Sequence, residues 1–237
     1  MDTMPRILNE GFAELGLSLP DGAAEKFRDY YELIEAGNRV ANLTAITGVE
    51  DAARLHFLDC AAILKVSDLT EKTVIDVGSG AGFPGIPMKI ACPSMALTLL
   101  DSRLKRVDFL EDTVRRLNLD GTVCIQARAE EASRGALRES FDVAVARAVS
   151  RLNVLCELCL PFVKLGGIFA AMKGPDWNDE VSESRSAVEK LGGAVSEIFE
   201  YAIPGTTLRR SVVLIVKNEE TPTAYPRRMA RIKKAPL

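Results

Sequence analysis

Hydrophobic and polar positions along this chain follow two regimes. Through roughly the first 70 residues, apolar side chains recur at helical spacing and no run reads as a strand. Pro5 to Leu15 fits one short helix, and Leu19-Pro-Asp-Gly22 fits a turn. Ala23 to Ala36 carries Phe27, Tyr30, Tyr31 and Ile34 at helical spacing, with Gly37 and Asn38 read as its end. The stretch 42–47 is polar enough to be an exposed connection. Thr47 and Glu50 then form a capping-box pattern for a helix running to about Lys65, with Leu55, Phe57, Leu58 and Ile63 as its packing residues.

From Thr73 onward, short apolar runs alternate with helical periodicity. Strands are predicted over Thr73 to Val77, Ala96 to Leu100, Thr122 to Gln126, Phe141 to Ala146, Ile168 to Met172, Ala194 to Ala202 and Ser211 to Val216. Between them, Ser102 can cap a helix to Asn118 whose buried stripe is Leu104, Val107, Leu110, Val114 and Leu117. Further helices fit Leu152 to Phe162 and Asp179 to Leu191, and Leu165-Gly-Gly167 reads as a turn into the fifth strand. Alternation of this kind specifies an α/β fold with a doubly wound, seven-stranded, mostly parallel sheet. No helix fits between the last two strands, so the last strand is expected antiparallel. The organisation is a helical region over 1–70, a main domain over 71–218 and a basic tail over 219–237.

The candidate chemistry starts at Thr73-Val-Ile-Asp-Val-Gly-Ser-Gly-Ala-Gly-Phe-Pro-Gly85. A strand, four glycines in eight residues and a helix start bring backbone close to a ligand. The spacing Gly78, Gly80, Gly82 is G-x-G-x-G and not the G-x-G-x-x-G of a dinucleotide site. Asp76 precedes it, and Asp101 ends the second strand, where a carboxylate usually meets a ribose diol. A site for an adenosine follows, with nothing that demands a pyrophosphate. In an open α/β sheet the ligand lies beyond the carboxyl ends of the strands. That rule gathers Gly78 to Gly85, Asp101, Ala129-Glu130 and Arg147 into one pocket. His56, the single histidine, lies three residues before Asp59, so the two share a helix face and can reach a common neighbour at the join to the sheet. On the residues alone, His56 is either a hydrogen-bonded structural residue or a site residue.

Composition changes this picture little. A 47% hydrophobic and 27% charged chain of 237 residues is an ordinary globule. No apolar run approaches 18 residues, and the N-terminus lacks signal-peptide character, so a cytoplasmic protein without a membrane span is expected. Five scattered cysteines suit buried thiols; Cys156-x-x-Cys159 has no second pair to complete a metal site. Net charge is −3, yet Tyr225 to Leu237 holds five basic residues and no acid. Candidate phosphate contacts are therefore Lys105, Arg106, Lys173, Arg209, Arg210, Arg227 and Arg228.

Taken together, Asn42-Leu-Thr44, His56-Phe-Leu-Asp59, Ile75 to Pro87, Leu100-Asp-Ser102, Arg128-Ala-Glu130, Ala146-Arg-Ala148 and Lys173-Gly174 resemble the small-subunit ribosomal RNA methyltransferase G family, also called glucose-inhibited division protein B. The resemblance spans nearly the whole chain. It implies a class I, Rossmann-like S-adenosylmethionine-dependent methyltransferase that yields S-adenosylhomocysteine without a metal. The implied acceptor is N7 of one guanine in the decoding-region loop of 16S ribosomal RNA, free or within the small subunit or an assembly intermediate, and the implied enzyme is a monomer. Matched residue by residue, the family's cofactor contacts fall on Gly78, Phe83, Ala129, Glu130 and Arg147. Asp76, Gly80 and Asp101 join them on the chemistry given above. Arg147, His56 and Asp59 form the candidate surroundings of the target base, with a salt bridge to Glu130 as the structural alternative for Arg147. Two departures stand out: Gly37-Asn38-Arg39 where many members have Trp-Asn-Lys, and Cys60 where serine is common. Competing classes are a methyltransferase for another acceptor, an NAD(P)-linked oxidoreductase and a non-catalytic RNA-binding module.

Overall fold

Alternate residues of the central strands point to opposite faces of the sheet, and both faces are apolar. In the computed structural model, which describes residues 3–41, 43–147 and 150–237, these strands build a seven-stranded sheet of order β3-β2-β1-β4-β5-β7-β6. The strands are β1 (Thr73–Val77), β2 (Ala96–Asp101), β3 (Thr122–Gln126), β4 (Phe141–Arg147), β5 (Val163–Lys173), β6 (Gly193–Ala202) and β7 (Arg209–Lys217). The pairs β3-β2, β2-β1, β1-β4 and β4-β5 are parallel. Only β7 runs against its neighbours, as expected of the last strand. On β4, Val143 and Val145 enter one core while Ala144 and Ala146 enter the other.

The first core is shared between the sheet and the N-terminal helices α1 (Thr3–Glu14) and α2 (Ala23–Ala41). Phe12, Phe27, Phe57 and Tyr30 form a chain of ring contacts that ends on Phe83, beside the glycine turn. Buried rings of this size remove large apolar areas from water, so the helices are held against the sheet by the same burial that holds the strands. The second core lies under α7 (Ala129–Ala132), α8 (Leu152–Cys159), α9 (Trp177–Lys190) and α10 (Met229–Lys234).

Several boundaries differ from the periodicity. Gly37 and Asn38 do not end α2. A Cβ at Gly37 would stand 2.8 Å from both Leu43 and Phe109, so the glycine is where the helix passes close to its neighbours. The Asn38 amide holds Thr44 through two hydrogen bonds of 2.9 and 3.0 Å. The Thr47–Glu50 capping box is not formed: α3 (Val49–Asp51) starts behind Gly48 with no side-chain cap and runs through a π-helical stretch, Ala52–Leu58, into α4 (Asp59–Ala61), and α5 (Gly85–Ala91) follows the glycine turn. Helix α6 (Leu104–Arg116) starts behind Arg103 and not Ser102, and Leu104 is 56% exposed instead of buried. Leu165-Gly-Gly167 lies inside β5 as an irregularity, not as a turn before it. Asn42 and Ala148, two residues of the family motifs, lie outside the described residues. Among the described residues no helix is long and apolar enough to cross a membrane.

The basic C-terminal segment is docked. Arg227 meets the fully buried Glu157 in a two-pronged ion pair of 2.8 and 2.6 Å, and its backbone N–H adds a 2.7 Å bond to the same carboxylate. Arg138 donates to the carbonyls of Tyr225 and Thr221, and Arg134 to that of Pro226. Ile232 is fully buried in the second core. Arg227 is thus removed from the candidate phosphate contacts, because a buried carboxylate already holds it. Substituting Arg227→Ala should destabilise the fold by about 3 kcal/mol, since it leaves the Glu157 charge buried without its partner. Urea unfolding measures this, and a loss below about 1 kcal/mol would contradict the docking.

Candidate cofactor and acceptor cleft

The turn after β1 is shaped by its glycines and braced by two aspartates. Gly78, Gly80 and Gly82 take φ values of +79°, +60° and +105°, a region that other residues rarely adopt. A Cβ at Gly82 would lie 2.5 Å from Ile86 and 2.7 Å from the Tyr30 hydroxyl. At Gly80 nothing stands closer than 3.9 Å, so open space lies above the backbone there. The turn's N–H groups are largely engaged within the protein: Gly78 and Ser79 donate to Leu100, and Gly82 and Phe83 donate to Ser79. Gly80 donates to Asp101 Oδ2 at 3.0 Å and Gly85 to Asp76 Oδ2 at 2.9 Å. The turn therefore offers a close approach to its surface and not a cradle of free N–H donors.

Asp76 sits beneath the turn, fully buried, with Oδ1 unpartnered. Burial pushes its carboxyl pKa up to about 7, opposed by the hydrogen bond from Gly85. Asp101 accepts from Gly80, from the Arg103 N–H at 2.9 Å and from Arg106 at 3.2 Å. Its carboxylate ties the turn to the start of α6, and Arg106 is engaged there instead of lying open to phosphate.

At the carboxyl end of β4, Arg147 gathers the other candidates. Its Nη1 donates to Asp59 Oδ2 and to the Leu55 carbonyl, each at 3.1 Å, and its Nη2 approaches His56 Nδ1 at 3.0 Å. The guanidinium lies 4.7 Å from the Phe83 ring centre, and His56 stacks on the same ring at 4.2 Å. The salt bridge to Glu130 considered as the alternative is not formed; the partner is Asp59. His56 Nε2 lies 2.8 Å from Thr44 Oγ1. Arginine can only donate, so Nδ1 accepts and Nε2 carries the proton that Thr44 receives. Burial, then the Arg147 charge, drives the imidazole pKa down to about 3, which keeps the ring neutral. Asp59 is completed by Tyr201, whose hydroxyl donates to Oδ1 at 2.7 Å.

One cleft of about 1380 Å³ is bordered by Gly78, Gly80, Phe83, Asp101, Ala129, Glu130, Arg147, His56 and Asp59. Arg106, Lys173 and Arg210 border it too. Asp76 does not. Glu130 is 6% exposed and has no hydrogen-bond or ion-pair partner among the described residues, so its carboxylate is available to the cleft. Lys173 is buried and pairs with Glu180 at 2.7 Å while donating to the Ser150 carbonyl at 2.8 Å, so it braces the loop after β4 and is not a free phosphate contact. Lys105, Arg209 and Arg228 are exposed and lie outside the cleft lining. Sequence reasoning missed Tyr201 and Glu157. Each is an unremarked residue within an apolar element, and nothing in its local spacing points to its distant partner.

All five cysteines are free, and Cys60, Cys156 and Cys159 are buried. Burial pushes the Cys156 thiol up to about 12 and the Cys60 and Cys159 thiols upward as well. Among the described residues no cluster of histidine, cysteine and carboxylate fits a metal ion.

Comparison with known proteins identifies the family and the fold. Residues 23–208 match the GidB family model, described as rRNA small subunit methyltransferase G. Ribosomal RNA small subunit methyltransferase G of Alkaliphilus metalliredigens (strain QYMF) is 43% identical over 233 residues, 98% of each chain. The protein of that name from Clostridium perfringens (strain 13 / Type A) is 40% identical over the same share of each chain. Solved structures are alike in fold alone. M. jannaschii TYW2 in complex with AdoMet gives a TM-score of 0.51 at 15% identity, covering 63% of this chain and 69% of that one. TrmN from Thermus thermophilus gives 0.53 at 16% identity, covering 68% and 48%. A family match over most of the chain and relatives 40–43% identical over 98% of it thus show that the chain belongs to the GidB family of small-subunit ribosomal RNA methyltransferase G proteins.

Proposed function

We infer that this chain transfers a methyl group from S-adenosylmethionine to N7 of a guanine in the decoding-region loop of 16S ribosomal RNA, leaving S-adenosylhomocysteine. The observation that carries the reading is the single cleft in which the open surface over Gly80, the unpartnered Glu130 and the Phe83–Arg147–His56 wall converge. The cofactor supplies an electrophilic methyl on a sulfonium, and guanine N7 supplies a lone pair without a proton, so the transfer uses neither a general base nor a metal.

The residues suit that division of labour. Glu130 can accept hydrogen bonds from an exocyclic amine such as that of adenine. Gly80 lets the cofactor approach the backbone, and Phe83 walls the cleft. Arg147 has five N–H donors, of which Asp59, Leu55 and His56 use three, leaving two for a carboxylate or for the acceptor base. His56 has both ring nitrogens engaged and is held neutral. It serves as a fixed wall and hydrogen-bond acceptor, not as a base. Orientation is then the main contribution of the protein to rate. Exposed Lys105, Arg209 and Arg228, with Arg210 at the cleft, remain the phosphate contacts of the proposal; such contacts orient RNA without reading its sequence. A base folded into RNA must reach the cleft from a loop or by flipping out. We place the enzyme in the cytoplasm as a monomer.

Methylation with labelled S-adenosylmethionine tests this directly, with naked 16S RNA, small subunits, assembly intermediates and bulk protein as separate acceptors. Label should appear in small-subunit RNA at a guanine N7. Label confined to protein, or at another atom, would overturn the acceptor. A second expectation concerns His56. Its folded pKa lies below the ordinary 6.5, so the unfolded chain binds a proton that the folded chain refuses, and its contribution to stability falls as pH falls through that window. Between about pH 6.5 and pH 5 this amounts to roughly 2 kcal/mol. Asp76 acts in the opposite sense, losing its contribution as pH rises toward its raised pKa, and it is present in both proteins compared. The stability deficit of His56→Gln relative to wild type should therefore narrow by about 2 kcal/mol at pH 5. A deficit independent of pH would mean that His56 is not held neutral.

A further inference from the structure

We propose that the C-terminal helix α10 forms a wall of the adenosine end of the cofactor cleft, with Met229 as its apolar contact. The proposal rests on the reading of that cleft as an S-adenosylmethionine site. Met229 and Lys233 border the same cleft as Ala129 and Glu130, together with Leu158 of α8. Both α7, which carries Ala129 and Glu130, and α10 pack on α8. Met229 itself is half-buried against the second core. A thioether side chain and an unpartnered carboxylate that border one cleft, on helices packed against the same α8, match the two needs of a purine: a face to lie against and an acceptor for its amine.

The docking of the segment points the same way. Arg134 and Arg138, which hold the carbonyls of Pro226, Tyr225 and Thr221, follow closely on α7. The turn that follows the helix presenting Glu130 and the segment that presents Met229 are therefore fastened to each other. Arg227 and Ile232 fix the other side of the segment to α8 and the second core. A basic tail searching for RNA would need none of these anchors. The helix is built as part of the cleft, and the match to the family model, which ends at residue 208, does not reach it.

Calorimetric titration of the full chain with S-adenosylhomocysteine and with 5′-methylthioadenosine tests the assignment. The second probe carries the adenosine and lacks the amino-acid part. Met229→Ala should weaken both probes by about the same factor, roughly fivefold, the value of one to two lost methylene contacts. Met229→Leu, which keeps the volume, should stay within about twofold of wild type. Lys234→Ala, exposed on the same helix and outside the cleft, should change neither. Wild-type affinity for both probes in Met229→Ala would overturn the proposal. So would a loss confined to S-adenosylhomocysteine, which would place the residue at the methionyl end. Failure of wild type to bind either probe would instead remove the cofactor reading itself.

Discussion

The ion pair between Arg147 and Asp59 is the contact on which the arrangement of this protein turns. One partner ends the central strand β4, and the other lies on the helical stretch before the sheet, 88 residues away in sequence. Both side chains are largely withdrawn from water. A buried pair of this kind is a poor source of net stability but is costly to break, because either charge alone is uncompensated. What it contributes is a defined geometry. Asp59 is filled by Arg147 and Tyr201, and Arg147 by Asp59, Leu55 and His56, so each group fixes the next. The π-helical stretch that carries His56 widens the helix at this junction, a feature often found where side chains must converge.

The same logic governs the glycine turn. Its positive φ angles let the chain fold back beneath a ligand, but its N–H groups are mostly answered by the protein. Asp76 supports it from below, at the cost of a carboxyl oxygen with no partner, and Asp101 supports it from the side. The proposed cofactor thus meets a surface already fixed, which favours orientation over adjustment. Phe83 connects the turn to the junction, since its ring touches His56 and Arg147 and closes the chain of aromatic contacts from the N-terminal helices. For this reason the helical region and the cleft are one physical object.

Much of this was legible in the chain because local chemistry determines it. The runs that became β1 and β3 had the observed limits: β1 is a mostly buried apolar run that stops at Gly78, and β3, an exposed edge strand, is bounded by Gly121 before it and by polar residues, from Arg128 on, after it. The convergence of His56 and Asp59 on a shared neighbour followed from helix geometry. What local pattern could not supply was the pairing of charges. Arg227, Lys173 and Arg106 look like free cations in sequence, yet each faces a carboxylate, and for Arg227 that partner lies 70 residues away. Tyr201 meets Asp59 across 142 residues for the same reason. Gly37 reads as a helix stop, and only the approach of Leu43 and Phe109 shows why a helix keeps a glycine there.

If Arg147 is positioned by Asp59 for the proposed cofactor and acceptor, the cleft should depend on a residue of the N-terminal helices. Titration of S-adenosylmethionine into Asp59→Asn, set beside wild type and with folding checked by thermal melting, tests this most directly. The account predicts a folded variant whose affinity for the cofactor falls by at least about tenfold, the size expected when a charge-assisted hydrogen bond loses its orienting partner. Unchanged affinity in a folded Asp59→Asn variant would contradict it.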